Sequence, residues 1–229
     1  GVLARGAIDS ILDEGLASWN LQGKRVVCLV PDGTRTAPMP LIYAAIRERL
    51  IEQVASLDWL VALGTHQPMS PQAIARHLGL PSSDRGTLSS HRIHNHDWAD
   101  AETFCSLGEI TAKEMHELSE GRMSASVPVR INRLLLDCDV AIVVGPVFPH
   151  EVVGFSGGNK YFFPGVSGRE LIDASHWLGA LITASEIIGT QGITPVRRLI
   201  DRAAALIPVE RRCVAMVVRT SDAELHGLF

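Results

Sequence analysis

Three short apolar runs, each breaking off at a loop rich in Gly, Pro, Asp or His, constrain this chain more than any other feature. Residues 25–30 (RVVCLV) end at PDGTRTAP, residues 57–64 (LDWLVALG) at THQPM, and residues 139–145 (DVAIVVG) at the long loop PVFPHEVVGFSGGNKYFFPGVSG. Runs this short and this continuously apolar read as strands covered on both faces. Helices read between them. Leu41, Ile42, Ala45, Ile46, Leu50, Ile51 and Val54 recur at three- and four-residue spacing, with Arg47, Glu48, Arg49 and Glu52 on the other side. Ser70 and Pro71 open a second helix that Gly79 closes. The pattern continues with a strand at 91–97, a strand or loop at 103–108, helices at 129–136, 169–183 and 195–206, and a last strand at 213–218. Strand, loop and helix in alternation predict an α/β fold: a three-layer, Rossmann-like domain whose mainly parallel sheet carries helices on both faces. Ligands of such folds collect beyond the C-terminal strand ends, where the unusual loops fall. With neither an internal repeat nor a linker, residues 1–229 read as one domain.

The 46% apolar and 20% charged residues exclude a disordered chain. A net charge of −4 gives no basic field for a phosphate backbone, so nucleic acid is not an expected partner. No apolar stretch approaches the ~20 residues of a membrane helix, so no membrane association is expected either. The N-terminal segment carries Asp9, Asp13 and Glu14 inside its apolar pattern, unlike a signal or transit peptide. Cys28, Cys105, Cys138 and Cys213 form no CxxC pair, which points to a reducing cytoplasm. The chain begins with Gly rather than Met and stops soon after its last strand, so it reads as an excerpt of a longer protein.

The loop 145–168 concentrates the chemistry. Gly157 and Gly158 allow the backbone after Ser156 to form an anion-binding nest suited to phosphate. A Walker A motif is excluded, because Lys160 follows Asn159 and precedes Tyr161. Gly154-Phe155-Ser156-Gly157-Gly158 matches the string of a nucleophile elbow, but no strand runs directly into it. Among nine histidines, His66 and His150 stand out, each following an apolar strand and a Gly at the sheet end where ligands sit. His77, His116 and His226 read as structural, and His176 by spacing alone reads as a half-buried helix residue. His94 and His96 share one strand face, with His91 opposite, and could begin a zinc site lacking an evident third ligand. Asp32 and Arg35 can brace each other, or Arg35 can grip an anion with its planar fork.

Taken together, DGTR at 32–35, GTHQP at 64–68, NHD at 95–97 and PHEVVGFSGGNKYFFPG at 149–165, with His176 downstream, resemble the nickel-dependent lactate racemase family. The resemblance runs through nearly the whole chain. It implies a racemase or epimerase of small, lactate-like 2-hydroxy acids that uses nickel held in a pincer cofactor, pyridinium-3,5-bisthiocarboxylic acid mononucleotide. Lys160 matches the lysine that carries this cofactor and His176 the histidine that completes the nickel coordination. His66 and His150 match the acid/base pair, and Arg35, with Asp32 in its motif, the carboxylate-binding arginine. Ser156, Gly157 and Gly158 would hold the mononucleotide phosphate. Cofactor-synthesis and nickel-insertion proteins are implied as partners. The family has a second, C-terminal domain with no counterpart here, so the chain reads as the N-terminal, cofactor- and nickel-binding domain, inactive alone. The chemistry is consistent. A C2 hydrogen beside an ionised carboxylate is a poor proton but a feasible hydride, and an imidazole can take the hydroxyl proton as the carbonyl forms. Two other readings remain at this level: a zinc-dependent hydrolase built on His94 and His96, and a non-catalytic domain binding a phosphorylated ligand.

Overall fold

The computed structural model describes residues 1–81, 91–188 and 190–229. In chain order its elements are α1 (Arg5–Ala17), β1 (Arg25–Pro31), α2 (Met39–Leu50), β2 (Ser56–Ala62), α3 (Pro71–Leu78), β3 (Ile93–Asn95), β4 (Phe104–Ile110), α4 (Ala112–Leu118), β5 (Val127–Asn132), β6 (Val140–Pro146), β7 (Pro149–His150), β8 (Gly154–Phe155), α5 (Arg169–Ile182), α6 (Ala184–Ile187), α7 (Pro195–Ala204), β9 (Glu210–Arg219) and β10 (Glu224–Leu228). The central sheet has the order β10-β9-β6-β1-β2-β3. Every neighbouring pair is parallel except β9 with β10. The α/β architecture expected from the alternation is therefore present.

Strand alternation divides the interior into two cores, one on each face. Val26, Cys28, Val30, Trp59 and Val61 pack toward α1, α2 and α3. Val27, Leu29, Leu60, Ala141 and Val143 pack toward β5, α5 and α7. Every residue of β6 is buried, which explains why its sequence is uninterrupted by polar residues. At roughly 1.5–3 kcal/mol per fully buried aliphatic or aromatic side chain, these strands anchor the fold.

Helix α3 matches its sequence signals closely. The Ser70 hydroxyl accepts the Ala73 amide at 3.2 Å, Pro71 stands in the first turn and Gly79 caps the end. Three expectations need correction. The helix expected at 129–136 is instead β5 followed by a 3₁₀ turn at Arg133–Leu135. Val127, Val129 and Ile131 are buried while Pro128 and Arg130 face outward, a period of two that fits the antiparallel pairing with β4. The strand expected at 91–97 narrows to Ile93–Asn95. The apolar spacing of α2 outlasts the helix, which stops at Leu50 before a turn into β2. Helix α4 lies outside the elements expected from the sequence, although Thr111 and Glu114 form a reciprocal capping box. Among the described residues, no helix is long and apolar enough to cross a membrane.

Candidate functional site

Strand order reverses at β1, with β2 on one side and β6 on the other, and a crevice opens beyond the C-terminal ends of these strands. A cavity of about 350 Å³ lies there. Residues widely separated in sequence line it: Asp32 and Arg35 after β1, His66 after β2, His150, Ser156, Gly157 and Lys160 after β6, and His176 on α5. Eight of the nine singled-out residues thus share one space. Gly158 does not line it, and an added Cβ there would instead face the Arg197 guanidinium at 3.3 Å.

Asp32 is 5% exposed. Burial alone would raise its pKa, but this is outweighed by hydrogen bonds from the Thr34 hydroxyl, His66 and the Thr34 amide, and the net direction is down. The carboxylate is therefore ionised. Its Oδ1 accepts the Thr34 hydroxyl at 2.5 Å and amide at 3.0 Å, while Oδ2 accepts Nδ1–H of His66 at 2.6 Å. The His66 proton is thereby fixed on Nδ1, leaving the Nε2 lone pair available to the cavity. The Trp98 indole donates to the His66 carbonyl at 2.9 Å and steadies the same loop. Asp32 thus braces His66 rather than Arg35, whose guanidinium forms no ion pair among the described residues.

His150 has the reverse arrangement. Its Nδ1 accepts the Val152 amide at 3.1 Å, so the proton of the neutral ring lies on Nε2. Burial, then the charge of Lys160, push its pKa down to about 4, against the opposing pull of Glu151. Lys160 is itself pushed down to about 8, first by burial and then by the Arg35 charge, which raises the fraction of neutral, nucleophilic amine. Its 3₁₀ turn, Gly158–Tyr161, is pinned by Asn159, which donates to Asp201 at 2.8 Å. On α5, His176 donates Nδ1–H to the Ile172 carbonyl at 2.8 Å, again leaving an Nε2 lone pair, the tautomer a metal-ligating imidazole needs.

Ser156 is a clamp rather than a nucleophile. Its amide donates to the Phe148 carbonyl at 2.8 Å, and its hydroxyl accepts the Phe148 amide at 2.9 Å. The Ser156 amide is therefore engaged within its own loop, and of the two glycines after it Gly157 lines the cavity. Gly157 has φ +84°, and a Cβ there would approach Val147 within 2.7 Å.

The second trio of histidines disperses. His94 Nε2–H donates to Asp58 at 3.0 Å, an acceptor shared with Arg92. His96 is fully buried, donating Nε2–H to the Ser167 carbonyl at 3.3 Å and accepting from the Asn132 amide at 3.2 Å. Tyr43 and His91 meet at 3.2 Å between the Tyr43 hydroxyl and His91 Nδ1. Among the described residues no three His, Cys, Asp or Glu side chains gather to hold a metal, which removes the basis for a zinc hydrolase centred on His94 and His96. Glu151 and Tyr161 also line the cavity, beyond the residues expected there from the sequence. Tyr161 lies in a YFFP run that reads as core, and nothing local to it reports its contact with Gly145.

The fold recurs in known proteins. A protein from Thermotoga maritima, solved by a structural genomics consortium, superposes with a TM-score of 0.84 at 28% identity, covering 99% of this chain and 54% of its own. The lactate racemase apoprotein of Thermoanaerobacterium thermosaccharolyticum shares the fold with a TM-score of 0.69 at 22% identity, covering 96% of this chain and 51% of its own. In sequence, the lactate racemase of that organism is 26% identical over 157 residues, 67% of this chain and 32% of the relative. The lactate racemase of Lactiplantibacillus plantarum is 24% identical over 176 residues, 74% and 37% of the two chains. The chain thus spans about a third of the length of these curated relatives. The family model for the lactate racemase N-terminal domain matches residues 5–188, which contain every residue lining the crevice, and this chain belongs to that family.

Proposed function

We propose that this chain is the cofactor- and nickel-binding, N-terminal part of a racemase or epimerase of small 2-hydroxy acids. The observation that carries the proposal is the cavity that gathers a lysine with a depressed pKa, two histidines of opposite tautomer, and a further histidine Nε2 and an arginine that have no partner among the described residues. The names of the curated relatives support the same reading.

The residues fit the implied nickel pincer. Such a metal takes most of its donors from the organic ligand and needs one imidazole from the protein, a role suited to His176 Nε2. Lys160 is the amine that would anchor the organic part, and the Gly157 backbone would admit its phosphate. When bound, the group supplies a hydride acceptor that can return the hydride to either face of a flat keto acid. The chain's own residues do the rest. Arg35 would bind the substrate carboxylate with its fork of donors. His66 Nε2 would accept the hydroxyl proton, with the Asp32 carboxylate placed to share the resulting charge. His150 Nε2–H would donate to the substrate oxygen from the other loop. Partial burial of Lys160 and His150 limits the water that would compete for these contacts.

Peptide mass spectrometry with metal analysis on protein made in a host that synthesises the cofactor tests this reading. A mass adduct on Lys160 with stoichiometric nickel, and loss of both in Lys160→Ala, is the expected result. Nickel-free protein without an adduct in such a host overturns it.

A further inference from the structure

Tyr161 occupies an unusual position. The residue is 9% exposed, and its hydroxyl sits against the Cα of Gly145 at the end of the central strand, where an added Cβ would lie 1.7 Å away. Gly145 is therefore required for the ring to reach this place. A buried phenol normally finds a hydrogen-bond partner. Among the described residues this one has none. Among the described residues, the side-chain atoms sealed from solvent without a hydrogen-bond partner lie on Arg198 and His226, and the Tyr161 hydroxyl is not one of them. The hydroxyl therefore keeps some accessible surface, and Tyr161 lines the cavity together with Arg35, His66, His150 and Lys160.

We propose that Tyr161 is a substrate-binding residue, its phenol O–H donating a hydrogen bond to the carboxylate of the acid held by Arg35. The inference rests on the function proposed above and adds to it the residue that completes the carboxylate site. The two groups are compatible on one ligand, because a carboxylate offers about four lone-pair positions and a bidentate guanidinium fills two of them. The phenol lies within the fields of Arg35 and Asp32, so an anion neutralising Arg35 arrives beside it. Burial pushes the ionisation of the phenol far up, so it stays a neutral donor at any working pH. A neutral donor favours an anion without adding a further charge to a cavity that already holds Arg35 and Lys160.

The chain has two tyrosines, Tyr43 and Tyr161, so protein labelled with ¹³C at tyrosine Cζ gives two resonances. Tyr43 lies in the opposite core and serves as an internal control. Cofactor-loaded and cofactor-free protein would be titrated with D- and L-lactate by calorimetry and by NMR, beside Tyr161→Phe and Arg35→Ala. The expected result is a shift of the Tyr161 resonance on saturation, a fixed Tyr43 resonance, and about tenfold or greater weakening of lactate binding in Tyr161→Phe. Lactate binding that Arg35→Ala abolishes, with an unmoved Tyr161 resonance and full affinity in Tyr161→Phe, overturns the role of Tyr161 and leaves the proposed function standing. No lactate binding by either form of the unmodified protein overturns the carboxylate site assigned to Arg35 and Tyr161, while the Lys160 adduct and nickel content decide the proposed function separately. Should Tyr161→Phe not fold, the resonance of the unmodified protein decides alone.

Discussion

His66 stands exposed on the loop after β2 with its Nδ1–H given to the ionised Asp32, whereas His150 stands on β7, its imidazole 13% exposed, with Nδ1 accepting a backbone amide. The same residue type thus presents a lone pair from one loop and an N–H from the other. The difference comes from what each loop sets against Nδ1, a carboxylate in one case and a main-chain donor in the other. It shows that the acid/base character of a histidine in such a cavity is fixed by the atom behind the ring rather than by the ring itself. Under the proposed function the two loops would have separable roles, proton acceptance at His66 and hydrogen-bond donation at His150.

The strongest way to break this comparison is to remove each ring from the cofactor-loaded, full-length enzyme. His66→Ala and His150→Ala are each expected to lower lactate racemisation by roughly 10²–10⁴-fold, measured as kcat/KM. A His150→Ala variant within a factor of a few of the unmodified protein would reduce that ring to a structural element. A subtler variant makes the two loops alike. Asp32→Asn puts an amide N–H in place of the carboxylate, so the His66 proton moves to Nε2, and kcat is expected to fall about 10²-fold or more. Retained kcat would mean that the tautomer does not matter.

A third histidine sharpens the point about burial. Burial pushes His96 down to about 4, opposed by its bond to the Ser167 carbonyl, so it is neutral in the folded protein and readily protonated in the unfolded chain. Its contribution to stability is complete above about pH 6.5 and is lost as the pH falls toward 4. Between pH 7 and pH 5 the loss is about 2 kcal/mol, measurable by urea unfolding of the cofactor-free protein. His96→Gln is expected to flatten that part of the profile, and an unchanged slope would exclude His96 as its source. The smallest expected effect concerns the carboxylate near His150. Glu151 is exposed and 3.6 Å from Nδ1, so Glu151→Gln is expected to change kcat/KM less than about threefold. A loss comparable to that of Asp32→Asn would make the two loops equivalent after all.

Much of this organisation was legible in the residues. The apolar runs of β1, β2 and β6, broken by Asp58 in β2, announced parallel strands covered on both faces, because burial on both sides leaves little place for a polar residue. The loops at their ends announced the site, and Ser70, Pro71 and Gly79 bounded α3. Segment 129–136 misled because a short apolar run satisfies both helical and strand periods, and the pairing with β4 decided between them. His94 and His96 misled for a similar reason, since sharing a strand face does not establish sharing a ligand. One reaches Asp58 and the other Ser167 and Asn132.

The sequence by itself determined the layered fold, the strand ends at which a ligand would sit, and the residue types assembled there. Only the tertiary structure decided which of those groups meet and in which protonation state. Asp32 reaches His66 from another loop, Val152 turns the proton of His150 to Nε2, and Gly145 leaves room for a phenol that no local pattern singles out. The physical reason is range. Periodicity and turn chemistry act over a few residues, whereas a tautomer or a shifted pKa is set by whichever atoms folding brings within about 3 Å.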